Sequence, residues 1–271
     1  VAFARIARLG LEAARAVPGV AAVFTEADLA ADGIGELPCI MVIDAAEPLI
    51  HPPRPALARG VVRHVGDPVA CIVAESLDAA MTAGEAVDIS YEPLACVTSA
   101  TEALQPGAPQ IWPQAPGNSA FLFRKGDASA VASAMASAAH VVECDLMNNR
   151  VVAAPMETRA AIGFHDRSTG QFLLSLTGQG VHETRRILAE SVFKIPIERM
   201  RLVVPDVGGG FGLKNYVYPE YALVLWAARK LGRPVRWVCE RAEDFVSSAH
   251  GRDFFARSRL ALDGSGRFLG L

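Results

Sequence analysis

Apolar and polar positions along the chain change period every few residues, and the changes mark out short alternating elements. At residues 140–147 the period is two, with Val142, Cys144 and Leu146 on one face and Glu143 and Asp145 on the other, which predicts a half-buried strand. Continuous apolar runs predict strands at 1–6, 20–24, 40–43, 69–74, 87–91, 160–164, 172–176, 200–204 and 235–239. Helical spacing predicts short helices at 12–17 and 77–86, an Ala-rich one from Asp127 to about 138, and longer ones at 182–193 and 219–231. Thr25-x-x-Asp28 reads as a capping box, and Pro219, Glu220, Gly232 and Pro234 give the last helix a start and a stop. Strand, helix and strand over 69–91 predict a small sheet with helices on one face. Six Pro or Gly residues between Pro106 and Asn118 mark a linker, and residues 257–271 read as a hairpin turning at Gly264-Ser265-Gly266.

Composition narrows the class. A hydrophobic content of 51% over 271 residues, with 20% charged, supplies a sizeable core. The net charge of −3 and the scattered cations, densest at Arg185-Arg186 and Arg229-Lys230-Arg233 on solvated helix faces or ends, give no footprint for nucleic acid. No apolar run approaches the roughly 20 residues of a bilayer span. Five widely spaced cysteines in apolar surroundings read as buried free thiols in a reducing compartment, hence the cytoplasm, and they lack zinc or iron-sulfur spacing. His182-Glu183 opens a zincin-like pattern that fails because Arg186 stands where the second His belongs. His51, in a Pro-rich loop, reads as a surface imidazole. The chain opens on Val1 and breaks off in a hairpin, so an internal piece of a longer polypeptide is expected.

The chemistry concentrates at Val204-Pro205-Asp206-Val207-Gly208-Gly209-Gly210-Phe211-Gly212-Leu213-Lys214-Asn215, a glycine-rich loop between a strand and a helix. Such a loop brings backbone N–H groups close to a ligand. It is not a dinucleotide fingerprint, because Leu213 replaces the third Gly. Nor is it a Walker loop, because Leu213 precedes Lys214 and Asn215 follows it. A nicotinamide or nucleotide enzyme is thereby disfavoured. Gln179 stands at another strand-to-helix junction, so both fall where α/β sheets bind ligands and are expected in one pocket.

These residues resemble the large, molybdenum-binding subunit of the molybdenum hydroxylases, the family of xanthine dehydrogenase, aldehyde oxidase and aerobic carbon monoxide dehydrogenase. The likeness runs through residues 11–29, Val65-Gly66-Asp67-Pro68, 87–94, Asn149-Arg150, Pro155-Met156-Glu157-Thr158-Arg159, Thr177-Gly178-Gln179 and Gly208-Gly209-Gly210-Phe211-Gly212-x-Lys214. It implies an α+β chain: an α/β hammerhead domain at 1–105 without its first strand, a linker at 106–125, and the first part of a molybdopterin-binding domain at 126–271. It implies that Gln179, Gly210, Phe211 and Gly212 bind a molybdopterin cofactor carrying Mo, the cytosine dinucleotide form being open, and that no residue here ligates the metal. It further implies hydroxylation of a heterocycle or aldehyde with water, or oxidation of carbon monoxide, with iron-sulfur clusters and FAD on partner subunits and a dimer of heterotrimers when intact. No catalytic residue is expected within these 271 residues, since the family's glutamate base belongs to later segments. Glu157 is expected to be a structural partner, of Arg159 for example, and Lys214 to pack or meet solvent. Leu213 departs from the usual Gly or Asn, and Asn215 from the Glu of purine-hydroxylating members, which weakens a xanthine-like substrate. The alternative is a non-catalytic assembly module that docks the iron-sulfur and flavin subunits.

Overall fold

A computed structural model describes residues 1–39, 41, 43 and 49–271. The strand expected at 40–43 falls on Ile40 and Val42, outside the described residues. The chain begins with β1 (Ala4–Gly10), α1 (Glu12–Arg15) and β2 (Val20–Phe24). Helix α2 (Glu26–Ala31) starts at the expected capping box, where Asp28 Oδ2 accepts from the Thr25 N–H at 2.8 Å and from its hydroxyl at 3.1 Å. After β3 (Val61–Val62) and β4 (Cys71–Ala74), Ser76 caps α3 (Leu77–Glu85), and β5 (Asp88–Pro93) follows. Next come α4 (Ala100–Ala103) and α5 (Ala128–Ser137), the latter capped by Asp127, which accepts from the N–H groups of Ser129 and Ala130. Strands β6 (His140–Asn148), β7 (Ala160–Asp166) and β8 (Gln171–Leu176) lead into α6 (Val181–Arg186), which continues as a π-helical stretch, Ile187–Phe193. The order closes with β9 (Met200–Val203), α7 (Pro219–Leu231), β10 (Val235–Val238), α8 (Arg241–Ser247), β11 (Phe254–Leu262) and β12 (Phe268–Gly270). Helix α7 has the predicted ends: Pro219 in its first turn and Gly232 left-handed, at φ 71°, past its last.

The chain divides into two compact units, one of residues 1–40, 52–96 and 152–249, the other of 41–51, 97–151 and 250–271. In the first, β10, β7, β8 and β9 form one sheet in that order, with β8 and β9 parallel and the other pairs antiparallel. Helix α7 lies on this sheet so closely that a Cβ at Gly163 would stand 2.5 Å from the Val224 carbonyl carbon, which is why β7 carries Gly there. Tyr221, Ala222, Leu223, Val224, Leu225, Trp226, Ala227 and Ala228 are all buried, so the helix is apolar on every side. Trp226 Nε1–H donates to Asp32 Oδ2 at 2.7 Å and ties the end of α2 to α7. The small single sheet expected over 69–91 does not form. Strand β4 pairs antiparallel with β2, whereas β5 pairs antiparallel with β1 in a separate sheet ordered β3-β1-β5. An apolar run reports burial, not the identity of the pairing strand. Leu11, Ala14, Val23 and Ala83 pack together as the local core beneath these elements.

In the second unit β12, β11 and β6 form an antiparallel sheet, so the predicted C-terminal hairpin is present. The predicted half-burial of β6 is not observed. Its residues are exposed on both faces, Met147 to 76%, because α5 packs on β11 and β12 and leaves β6 uncovered. The Pro-rich segment is fastened by Asn118, whose Oδ1 accepts from the Ile111 N–H while Nδ2 donates to the Ala103 and Pro109 carbonyls. All five cysteines are free, but the burial expected of them holds only for Cys239. Cys71 is half-buried, and Cys39, Cys96 and Cys144 are exposed, since apolar neighbours in a short segment do not by themselves bury the residue between them. Among the described residues no helix is long and apolar enough to cross a membrane.

Candidate functional site

Because β8 and β9 are parallel neighbours, the segments leaving their C-terminal ends depart side by side. One carries Gln179 and the other the glycine loop, and the structure joins them. The Gln179 N–H donates to the Lys214 carbonyl at 2.9 Å, and the Gly212 N–H donates to Gln179 Oε1 at 3.1 Å. That second bond assigns the amide: Oε1 is engaged, and Nε2 remains a donor with no acceptor among the described residues. The loop backbone is pressed against this side chain. A Cβ at Gly210 would stand 2.5 Å from Gln179 Oε1, so only Gly leaves room for the amide. The turn runs through left-handed backbone at Phe211, φ 50°, and Gly212, φ 83°, and it leaves Phe211 77% exposed. The N–H groups of Gly209, Gly210 and Phe211 have no acceptor among the described residues.

Glu157 braces the loop from below. Its N–H donates to the Gly208 carbonyl at 3.2 Å, and its Oε2 accepts from the Gly208 N–H at 2.8 Å and from Lys214 Nζ at 2.7 Å. The expected pairing of Glu157 with Arg159 is therefore replaced by pairing with Lys214. Of the two expectations for Lys214 the structure gives packing and not solvent: its side chain is 0% exposed, and it is ion-paired besides. Burial pushes the Glu157 carboxyl up, but the Lys214 hydrogen bond, the Gly208 amide and the Lys214 charge together hold it below its ordinary value.

Arg159 is unavailable to Glu157 because it is consumed elsewhere. Fully buried, it donates to Asp244 Oδ1 at 3.0 Å, to Ser248 Oγ at 3.1 Å and to Glu220 Oε2 at 3.1 Å, and its guanidinium lies 3.9 Å from the centre of the Tyr218 ring. The Tyr218 hydroxyl in turn donates to the Leu213 carbonyl at 2.7 Å and accepts from the Ala249 N–H at 3.1 Å. Burial pushes the Glu220 carboxyl up even with Arg159 beside it, and burial likewise raises the Cys239 thiol and the Tyr221 phenol. The cluster pins the far side of the loop to the start of α7 and to α8 and the residues just past it. Sequence reasoning reaches Glu220 only as a favourable charge at a helix start, and it misses Asp244. Arg185, expected on a solvated helix face or end, instead donates to the carbonyls of Met200 at 2.6 Å and Ile197 at 2.8 Å, holding α6 to the start of β9.

Comparison with known proteins matches residues 111–271 to the molybdopterin cofactor-binding domain and residues 1–95 to the a/b hammerhead domain of aldehyde oxidase and xanthine dehydrogenase. The chain belongs to this family, with the α+β architecture of a hammerhead domain followed by a molybdopterin-binding domain. It is 34% identical over 275 residues to the 6-hydroxypseudooxynicotine dehydrogenase complex subunit gamma of Paenarthrobacter nicotinovorans, covering 100% of this chain and 33% of that protein. It is 32% identical over 283 residues to the carbon monoxide dehydrogenase large chain of Hydrogenophaga pseudoflava, covering 100% and 34% respectively. The solved quinoline 2-oxidoreductase of Pseudomonas putida 86 superposes with a TM-score of 0.85 at 35% identity, over 98% of this chain and 33% of that one. The chain thus spans about a third of the length of the curated relatives it matches.

Proposed function

We propose that this chain forms one wall of the cofactor cradle in the large subunit of a molybdopterin-dependent oxidoreductase. The subunit would hydroxylate a heterocycle or aldehyde with water, or oxidise carbon monoxide. The observation that carries the reading is the Gly212 to Gln179 Oε1 hydrogen bond, which holds the acceptor end of the glutamine against the loop at Gly210 and leaves its Nε2 donor end free. The donor set suits such a group. An amide NH2 and the N–H groups of Gly209, Gly210 and Phe211 are neutral donors without protein acceptors among the described residues, matched to an anionic, oxygen-rich cofactor.

In this reading Gln179 would hold the cofactor through its Nε2 donor and Gly210 and Phe211 through their backbone N–H groups, while Gly212 contributes by fixing the glutamine. When bound, the cofactor supplies the redox chemistry of oxygen transfer from water or of carbon monoxide oxidation. The residues of this chain bind and orient it. Glu157 is given no acid–base role, because Lys214 and Gly208 already engage its carboxylate. We keep residues 1–105 as the hammerhead domain, 106–125 as a linker and 126–271 as the cofactor-binding domain; the two family matches, 1–95 and 111–271, support the order of the two domains, and the second begins inside the proposed linker. Relatives named as a complex's gamma subunit and as a large chain support the presence of partner subunits, to which the proposal adds that these carry iron-sulfur clusters and FAD and receive the electrons.

The test is molybdenum analysis of the full-length protein from a cofactor-replete host, paired with Gln179→Ala. Bound molybdenum and a loss of most turnover in a folded variant are expected. Absence of molybdenum would leave the assembly-module reading in its place.

A further inference from the structure

We propose that Glu157 and Lys214 are positioning residues that clamp the two ends of the glycine loop and thereby set where the Gln179 amide stands. The proposal rests on the cofactor reading above for its functional meaning, while its geometry stands apart from it. Glu157 holds Gly208 twice, through its own N–H at 3.2 Å and through Oε2 at 2.8 Å. The same Oε2 receives Lys214 Nζ at 2.7 Å. Lys214 is also the residue whose carbonyl receives the Gln179 N–H, and Gly212 closes the circuit onto Gln179 Oε1. Gly209, Gly210 and Phe211, whose N–H groups lack acceptors among the described residues, therefore sit in an arc whose two ends one carboxylate oxygen holds together.

Two features separate this pair from an ordinary surface ion pair. The Lys214 side chain is 0% exposed, and burying an ammonium is costly unless a matched charge receives it; a methionine would fill the same space without that cost. The loop also rests directly on its clamp, since a Cβ at Gly208 would stand 2.6 Å from Glu157 Cβ. A pair needed only for packing has no reason to reach both ends of a segment that carries three consecutive backbone donors without acceptors among the described residues.

The experiment uses the full-length protein prepared without cofactor, and reads amide hydrogen exchange in peptides covering 177–181 and 206–215. The variants are Glu157→Ala, Lys214→Met, the double variant, and Glu157→Gln, which keeps volume and an acceptor oxygen for Gly208. Each of the first two is expected to speed loop exchange about tenfold, the scale of one charge-assisted hydrogen bond. The double variant is expected to exchange no faster than the faster single variant, because the two residues act through one contact. Glu157→Gln is expected to recover part of the protection, while peptides from α7 stay unchanged. Unchanged loop exchange in Glu157→Gln and Lys214→Met, or effects that multiply in the double variant, would overturn the clamp. The exchange measurement needs no cofactor, so it decides the clamp separately from the molybdenum analysis that decides the cofactor reading. In cofactor-loaded protein, lowered molybdenum content in the variants with loosened loops supports the positioning role, and undiminished content overturns it.

Discussion

Gly212 and Gln179 share one hydrogen bond, N–H to Oε1 at 3.1 Å, that decides which end of the glutamine the site receives. Replacing Gln179 by Glu preserves an acceptor for Gly212 and removes the NH2 donor, so it separates holding the loop from donating to a ligand. Steady-state turnover of the full-length Gln179→Glu variant is expected to fall by about 10²-fold or more, with its thermal midpoint little changed. Wild-type turnover in that variant would remove the donor role.

Two glycines in the same loop are expected to fail differently. At Gly210 a Cβ would meet Gln179 Oε1 at 2.5 Å and Cδ at 2.6 Å, so Gly210→Ala displaces the amide and should reproduce the kinetic loss of Gln179→Ala. At Gly212 nothing lies within 4 Å, but φ is 83°, so Gly212→Ala strains the backbone by about 1–2 kcal/mol. Denaturant unfolding alongside turnover distinguishes displacement from strain.

Arg159 is the residue whose loss should cost the most stability. Arg159→Met leaves the Glu220 carboxylate without its cation and buried Asp244 with only Arg241 at 3.5 Å, which is expected to destabilise the fold by about 3–5 kcal/mol in equilibrium unfolding. Arg159→Lys should recover little, because one ammonium cannot reproduce the fork that meets Asp244 and Glu220 while lying against Tyr218.

Much of the fold was legible in local chemistry, and less of the site was. Pro219, Gly232, the Thr25 capping box and the Asp127 cap declare themselves through backbone rules that act within one turn. The meeting of Gln179 with the loop follows from two strand-to-helix junctions, and the parallel pairing of β8 with β9 makes it physical. What was illegible depends on contacts distant in sequence. Nothing near Glu157 distinguishes Arg159, two residues away, from Lys214, fifty-seven residues away, as its partner. The alternation in β6 announces two different faces and not what covers them, and the pairing of β4 with β2 instead of β5's sheet is equally silent in an apolar run.

Acid should release the clamp in a defined direction. The Glu157 carboxyl is held below its ordinary 4.5, so its charge contributes fully above that value and is lost as pH falls through the lower folded value. After correction for intrinsic exchange rates, protection of residues 206–215 is expected to fall on acidification below 4.5 in the native protein and to stay flat in Glu157→Gln. Equal profiles would mean that charge on Glu157 does not hold the loop.

The π-helical stretch Ile187–Phe193 bears on how this region can change length. It closes at Lys194, whose N–H reaches back five residues to the Ala189 carbonyl, so the stretch carries a wider winding than an α-helix. Where tightening to α-helical winding does not absorb it, losing or gaining one residue turns the Gln179 end of the segment by about 100° relative to β9. Insertions and deletions are therefore expected to be excluded from 180–194 across relatives and admitted at the exposed turn after Asp166, where a length change moves nothing that touches the loop.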